Sequence, residues 1–145
     1  MPRIGLFNIA FGFLVLFFAA SAGVFLVVDV ARFSVRDQTL LNSWAFLMQK
    51  SSHSHTNLFG IIHIVFGLSL PYSVFNAKMK FAQTIGLACG TMAMAAGMLM
   101  QSFAGPKENA FDTLGIMMGI LLSLSLLALI SHAAGVFAKL NQRLP

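Results

Sequence analysis

Three histidines fall within a short stretch of this chain, in the run Ser52-His53-Ser54-His55-Thr56-Asn57-Leu58-Phe59-Gly60-Ile61-Ile62-His63. Neutral imidazole is a common ligand for transition metals and for haem iron. The run opens a long apolar segment, and ionisable groups at membrane depth ordinarily line an interior, a ligand or a pathway. On a wheel of about 100° per residue, His53, Thr56, Gly60, His63 and Gly67 step by three, four, three and four and share one stripe. His55 points elsewhere, toward Phe59 and Ile62. Every position of the stripe is polar or small, so something close-fitting is expected against it. Two candidates arise: the backbone of another helix, or a flat prosthetic group with a histidine ligand and Gly60 making room for the ring.

Spacing narrows the metal chemistry. His53 and His63 are ten residues apart, about 15 Å along a helix, and cannot bind one iron. If His53 is the ligand, His63 is left as a hydrogen-bonding neighbour. His132 belongs to the last apolar segment near the opposite end from His53, so pairing the two across one haem needs a common depth they do not have. His53-Ser54-His55 could also hold zinc or copper, but a closed structural zinc site takes four ligands and only three histidines lie nearby. The plainest alternative is that these are solvated histidines of an outer loop.

The elements that must position these residues follow from composition. The chain has 145 residues, 58% of them hydrophobic and 9% charged. A soluble domain carries roughly 25% charge, so a soluble core is the wrong class. Apolar stretches at about 4–28, 54–75, 81–103 and 113–138 are each near the ~20 residues that cross a bilayer. The expected fold is therefore all-α, one integral membrane domain over residues 1–145 built as a four-transmembrane-helix bundle. The first stretch has a basic start at Arg3 and small residues at Ala20-Ser21-Ala22, but it runs on through Val24-Phe25-Leu26-Val27-Val28. That exceeds the ~7–15-residue core of a signal peptide, so it is read as a retained first helix.

Between helices 1 and 2, Leu40, Leu41, Trp44, Leu47 and Met48 recur on one face while Asn42, Ser43, Gln49 and Lys50 take the other. This predicts an amphipathic interfacial segment with Trp44 at headgroup level, or else an extension of helix 1. Asn76-Ala77-Lys78-Met79-Lys80 reads as a short turn and Gly105-Pro106-Lys107-Glu108-Asn109 as a break. Small residues at Ala82, Gly86, Gly90, Ala93 and Gly97, with Gly115 and Gly119 on the last helix, allow close helix approach to this chain or to a second copy. Cys89 is expected to be an inert buried thiol.

The net charge is +5. Arg3, Lys78, Lys80, Lys139 and Arg143 lie at one set of ends without an acid. Arg32, Arg36, Lys50 and Lys107 share the other with Asp29, Asp37, Glu108 and Asp112. The positive-inside rule then puts both termini in the cytoplasm. Basic residues scattered at helix ends suit lipid headgroups rather than nucleic acid.

The pattern resembles the styrene oxide isomerases, small bacterial four-helix membrane enzymes. The residues that carry the resemblance are Trp44-Ala45, His53-Ser54, Gly60 seven residues on, Leu70-Pro71 and the Gly- and Pro-bearing break before the last helix. It implies a homotrimer of the bacterial inner membrane holding haem b, with His53 as the iron ligand and an epoxide opened to an aldehyde by Lewis-acid chemistry. The chain departs from the family at Phe59, where an asparagine is usual. It departs again in helix 3, which lacks the family's acid and tyrosine; the one tyrosine is Tyr72. What the resemblance carries over is the scaffold and the haem ligand. More loosely, the His-x-His start of helix 2 is similar to histidine-bearing helices of haem–copper oxidase subunits, where His55 shares the ligand role. The site expected is haem b on His53, with His55, Thr56, Gly60 and His63 around it and a small apolar molecule arriving from the bilayer. The competing expectation is a scaffold or accessory subunit without a cofactor.

Overall fold

The computed structural model describes residues 3–36, 38–106 and 112–142, and all regular structure among them is helical. Asp37, Lys107, Glu108, Asn109 and Arg143 lie outside the described residues. There are four main helices: α1 Arg3–Arg36, α2 Trp44–Ser69, α3 Ala77–Ala104 and α4 Thr113–Asn141. α1, α3 and α4 are long and apolar enough to cross a membrane. α2 is not in that group, because the stretch from Lys50 to Asn57 is polar throughout.

Four boundaries differ from the sequence reading, each for a local reason. α1 runs on to Arg36, since nothing in Asp29–Arg36 breaks a helix. The segment expected to lie separately in the interface is the start of α2 itself. Ser43 caps it by accepting from the Phe46 N–H at 3.3 Å, and Trp44 Nε1 donates to the Gln101 carbonyl at 2.9 Å, which ties that start to the end of α3. α2 stops at Ser69 rather than at 75 because Pro71 turns Leu70–Tyr72 into a single 3₁₀ turn. Residues 76–80 are the cap and first turn of α3: Asn76 Oδ1 accepts from the Met79 N–H at 3.0 Å. At the other end of α3, Gly105 takes φ +76° before Pro106, a conformation that favours glycine.

α1 packs along α2 and α3 along α4, and α2 joins the two pairs. Most of α2's glycine stripe meets α1. A Cβ on Gly12 would lie 2.6 Å from the Gly60 carbonyl oxygen, and one on Gly67 would lie 2.6 Å from the Gly5 carbonyl oxygen. Thus the close-fitting partner at Gly60 and Gly67 is a helix backbone. Gly86, Gly90 and Gly97 of α3 are spent in the same way on α4, where added Cβ atoms would meet Leu124, Ser125 and Met118. Gly119 of α4 has nothing within 4 Å of such a Cβ. Phe59, Phe66, Leu70 and Leu87 form the apolar core between the pairs, while large apolar side chains such as Phe13, Phe17, Phe25, Ile130 and Phe137 point outward.

Crossing this core is a buried polar chain. The Asn8 amide donates to the Ile4 carbonyl and to Thr84 Oγ1, both at 2.9 Å, which fixes its Oδ1 as the acceptor for His63 Nδ1 at 3.0 Å. His63 is then protonated on Nδ1, and Nε2 accepts from the Thr91 hydroxyl at 3.0 Å. His63 and Asn8 are both 0% exposed. Replacing Asn8 by Leu leaves an imidazole N–H without an acceptor, at a cost of about 1–3 kcal/mol. We expect Asn8→Leu to lower the thermal midpoint of the protein in detergent. The double change Asn8→Leu with His63→Leu should recover part of that loss, and a single change without effect would contradict the network.

Candidate functional site

His53 sits in a cleft of about 460 Å³ walled by three helices. α1 supplies one stripe from Phe18 and Ala19 through Ala22, Phe25 and Leu26 to Asp29, a length of about 16 Å at ~1.5 Å per residue. α2 supplies Gln49, Ser52, His53 and Thr56, one turn apart on one face. α3 supplies Ala95, Ala96 and Leu99. The wall is mainly alkyl and aromatic, with an imidazole within it and a carboxylate and an amide toward the Asp29 end.

The α3 wall has a distinct origin. Ala93–Gly97 forms a π turn, in which the Met98 N–H reaches back to the Ala93 carbonyl. The extra residue disturbs the regular α-helical pairing, and π turns recur at functional sites. Ser52 Oγ donates to the Ala95 carbonyl at 2.9 Å, pinning α2 to that turn. Alanines at 95 and 96 keep the wall thin.

The imidazole of His53 is oriented by α1. Its Nδ1 is 2.9 Å from the Ala19 carbonyl oxygen. A carbonyl only accepts, so Nδ1 carries the proton and Nε2 keeps the lone pair. Histidines that ligate metals are held this way, with the other ring nitrogen fixed by a backbone carbonyl or carboxylate. Nε2 has one long polar neighbour, Asn57 Nδ2 at 3.3 Å, and that amide also donates to the His53 carbonyl at 3.2 Å. Gly23 makes room for the ring: a Cβ there would stand 2.7 Å from His53 Cε1. The glycine beside the His53 ring is therefore on α1, whereas Gly60 was expected to do this; Gly60 is occupied by Gly12 and Leu16.

The other expected site residues separate. Thr56 lines the cleft but spends its hydroxyl on the Ser52 carbonyl at 2.6 Å. His55 is outside the cleft wall and bonds through Nδ1 to the Ser51 carbonyl of its own helix at 2.8 Å. His63 lies in the core with both nitrogens engaged, so it has no lone pair for a metal. His132 faces Ser69 and Phe66 between α2 and α4, in another cavity. Among the described residues no three His, Cys, Asp or Glu side chains gather around one point, so the zinc or copper arrangement is not assembled. Cys89 is half-buried.

Sequence reasoning missed Asp29, Gln49 and the Ala95-Ala96 wall. Asp29 had a signal: it is the first acid after an apolar run of about 25 residues, where a charge ordinarily has a reason. Comparison with family models, with curated proteins and with solved structures gives no match to this chain.

Proposed function

We propose that this chain is a four-span membrane protein that holds haem b on His53. The observation that carries the reading is the anchored imidazole: in a residue that lines a mostly apolar cleft, Nδ1 on the Ala19 carbonyl at 2.9 Å leaves the lone pair on Nε2, whose one polar neighbour is the Asn57 amide at 3.3 Å. About 460 Å³ lies within the ~300–1,000 Å³ of small-molecule and cofactor pockets. His53 would be the axial ligand, and Phe18, Phe25, Leu26 and Leu99 would cover the macrocycle. Bound haem supplies a Lewis-acidic or redox-active iron, suited to a small apolar molecule entering from the bilayer. In the competing accessory-subunit reading the α3 glycines are already packed on α4, which leaves Gly119 of α4 as the open small residue for a partner.

α2 is the fourth span in this reading. At 26 residues it is about 39 Å long, enough for the ~30 Å hydrocarbon core. Its polar side chains are tolerated because Ser52, Thr56 and His63 are buried inside the bundle. The end that bears Arg3, Lys78, Lys80 and Lys139 would face the cytoplasm of a bacterial inner membrane. A homo-oligomer, trimeric in the resemblance, would close the open side of the cleft.

Haem content tests the proposal. Protein purified in mild detergent from haem-replete cells should release haem b to acidified organic solvent, close to one per chain. A preparation with none would defeat the reading. Turnover of an aryl epoxide to its aldehyde tests the isomerase version separately. Weak or no turnover is expected, since Phe59 is packed on Gly90 in the core rather than offering a polar group.

A further inference from the structure

The outer end of the His53 cleft holds two polar side chains that an axial ligand does not need. Asp29 ends the α1 stripe that begins at Phe18, and Gln49 stands one turn before His53 on the cleft face of α2. α1 and α2 run antiparallel, and their register fixes the levels. A Cβ on Gly23 would meet the His53 ring, and farther out the rings of Phe33 and Phe46 lie 6.3 Å apart. Between those two contacts Asp29 falls level with Gln49. Both side chains are half-buried, yet neither forms a hydrogen bond or ion pair among the described residues, although Arg32 stands nearly one turn from Asp29. Their polar atoms are not sealed off either, so a ligand can reach them. The other described acid, Asp112, has a plain structural use: it caps α4 by accepting from the Gly115 N–H at 2.7 Å.

A charged group on the wall of an apolar cleft calls for a partner, and the described part of the chain supplies none. We infer that this end of the cleft binds the ammonium group of a small amphiphilic amine, with Asp29 as counter-ion and the Gln49 amide oxygen as a second acceptor. A carboxylate only accepts and an ammonium only donates, and such charge-assisted bonds are stronger than neutral ones. The body of the amine lies along Ala22, Phe25, Leu26 and Leu99. The fold sets its length. Gly23, which stands against the His53 ring, and Asp29 are six residues apart, about 9 Å, the reach of a bicyclic aryl group on a two-carbon arm. Depth agrees. Asp29 is 26 residues from Arg3, about 39 Å along α1 and past a hydrocarbon core of ~30 Å, so the ammonium sits at headgroup level with its body in the apolar cleft. A carboxylic acid of the same shape is repelled by Asp29, and a plain hydrocarbon leaves it unpaired. The inference names a substrate class for the His53 cleft and rests on the haem reading only for calling the ligand a substrate.

The test titrates the full chain in phosphatidylcholine nanodiscs with 2-(2-naphthyl)ethylamine and with 2-propylnaphthalene, in which a methyl group replaces the ammonium. Each is corrected for partition into empty nanodiscs. The amine should bind about tenfold more tightly than the hydrocarbon, and the preference should shrink as salt is added. Asp29→Asn should remove it and leave binding of the hydrocarbon unchanged. If that variant fails to fold, the wild-type comparison and its salt dependence decide. Equal binding of the two probes overturns the inference. So does an amine preference that survives in Asp29→Asn, which would put the nitrogen on iron or on lipid. Haem content measured on the same samples keeps the two readings apart: a haem-free preparation that prefers the amine sinks only the haem, and a haem-loaded one without the preference sinks only the amine site.

Discussion

Replacing His53 by glycine is expected to give a protein that purifies without haem and regains it when free imidazole is added. The deletion opens a space the size of the lost ring, because Gly23 stands directly against it and has no side chain to fill it. The Ala19 carbonyl that oriented the native ring remains, 2.9 Å from where Nδ1 was. An imidazole entering the space can donate to that carbonyl and present its other nitrogen as His53 did. Changes to groups that merely orient a ligand cost about 10–100-fold in affinity, so loss of the ligand itself should exceed that range. Haem retained at wild-type level by His53→Gly, without imidazole, would place the ligand elsewhere. Gly23→Ala is the milder companion: its methyl group would displace the ring and alter the spectrum.

The second large effect concerns the contact that holds α1 on α2. Gly12→Ala puts a methyl group 2.6 Å from the Gly60 carbonyl oxygen and 3.0 Å from the Ile64 nitrogen. Both neighbours are backbone atoms, so relief requires the helices to part. Overpacking of this kind costs about 1–3 kcal/mol. In lipid no hydrophobic force compensates, since helix association there rests on close packing and interhelical hydrogen bonds. Separation would also stretch the Ala19–His53 and Asn8–His63 bonds farther along the same interface. Gly119→Ala is the control: open space surrounds that position, and alanine improves helix propensity by up to ~1 kcal/mol. Thermal unfolding in one detergent should therefore show Gly12→Ala falling and Gly119→Ala level or rising. Equal midpoints would mean that α1 does not pack as described.

Much of this was legible in the sequence, and the parts that were not have physical reasons. The stripe of His53, Thr56, Gly60, His63 and Gly67 could be read from helical period alone. What lay against it could not be. Its partners Gly5, Asn8, Gly12 and Ala19 are embedded in a helix whose other faces are equally apolar. Where lipid and core are alike, hydropathy does not mark the buried side. The stripe also proved mixed in purpose: His53 lines a cleft, Gly60 and Gly67 seat a helix, and His63 ends inside a polar network. Periodicity gives a direction, not the chemistry met there. The starts of α2 and α3 were set by caps, Ser43 and Asn76, that stand well outside the apolar runs. The π turn at Ala93–Gly97 was hidden because its residues are ordinary helix formers and small core residues.

Whether His53 holds haem iron can be read from an absorption spectrum. Wild type, His53→Ala and His132→Ala should be purified side by side in the same detergent from haem-replete cells. We expect a Soret band in wild type, its loss in His53→Ala and its persistence in His132→Ala. A colourless wild type, or a band that survives in His53→Ala, would contradict it.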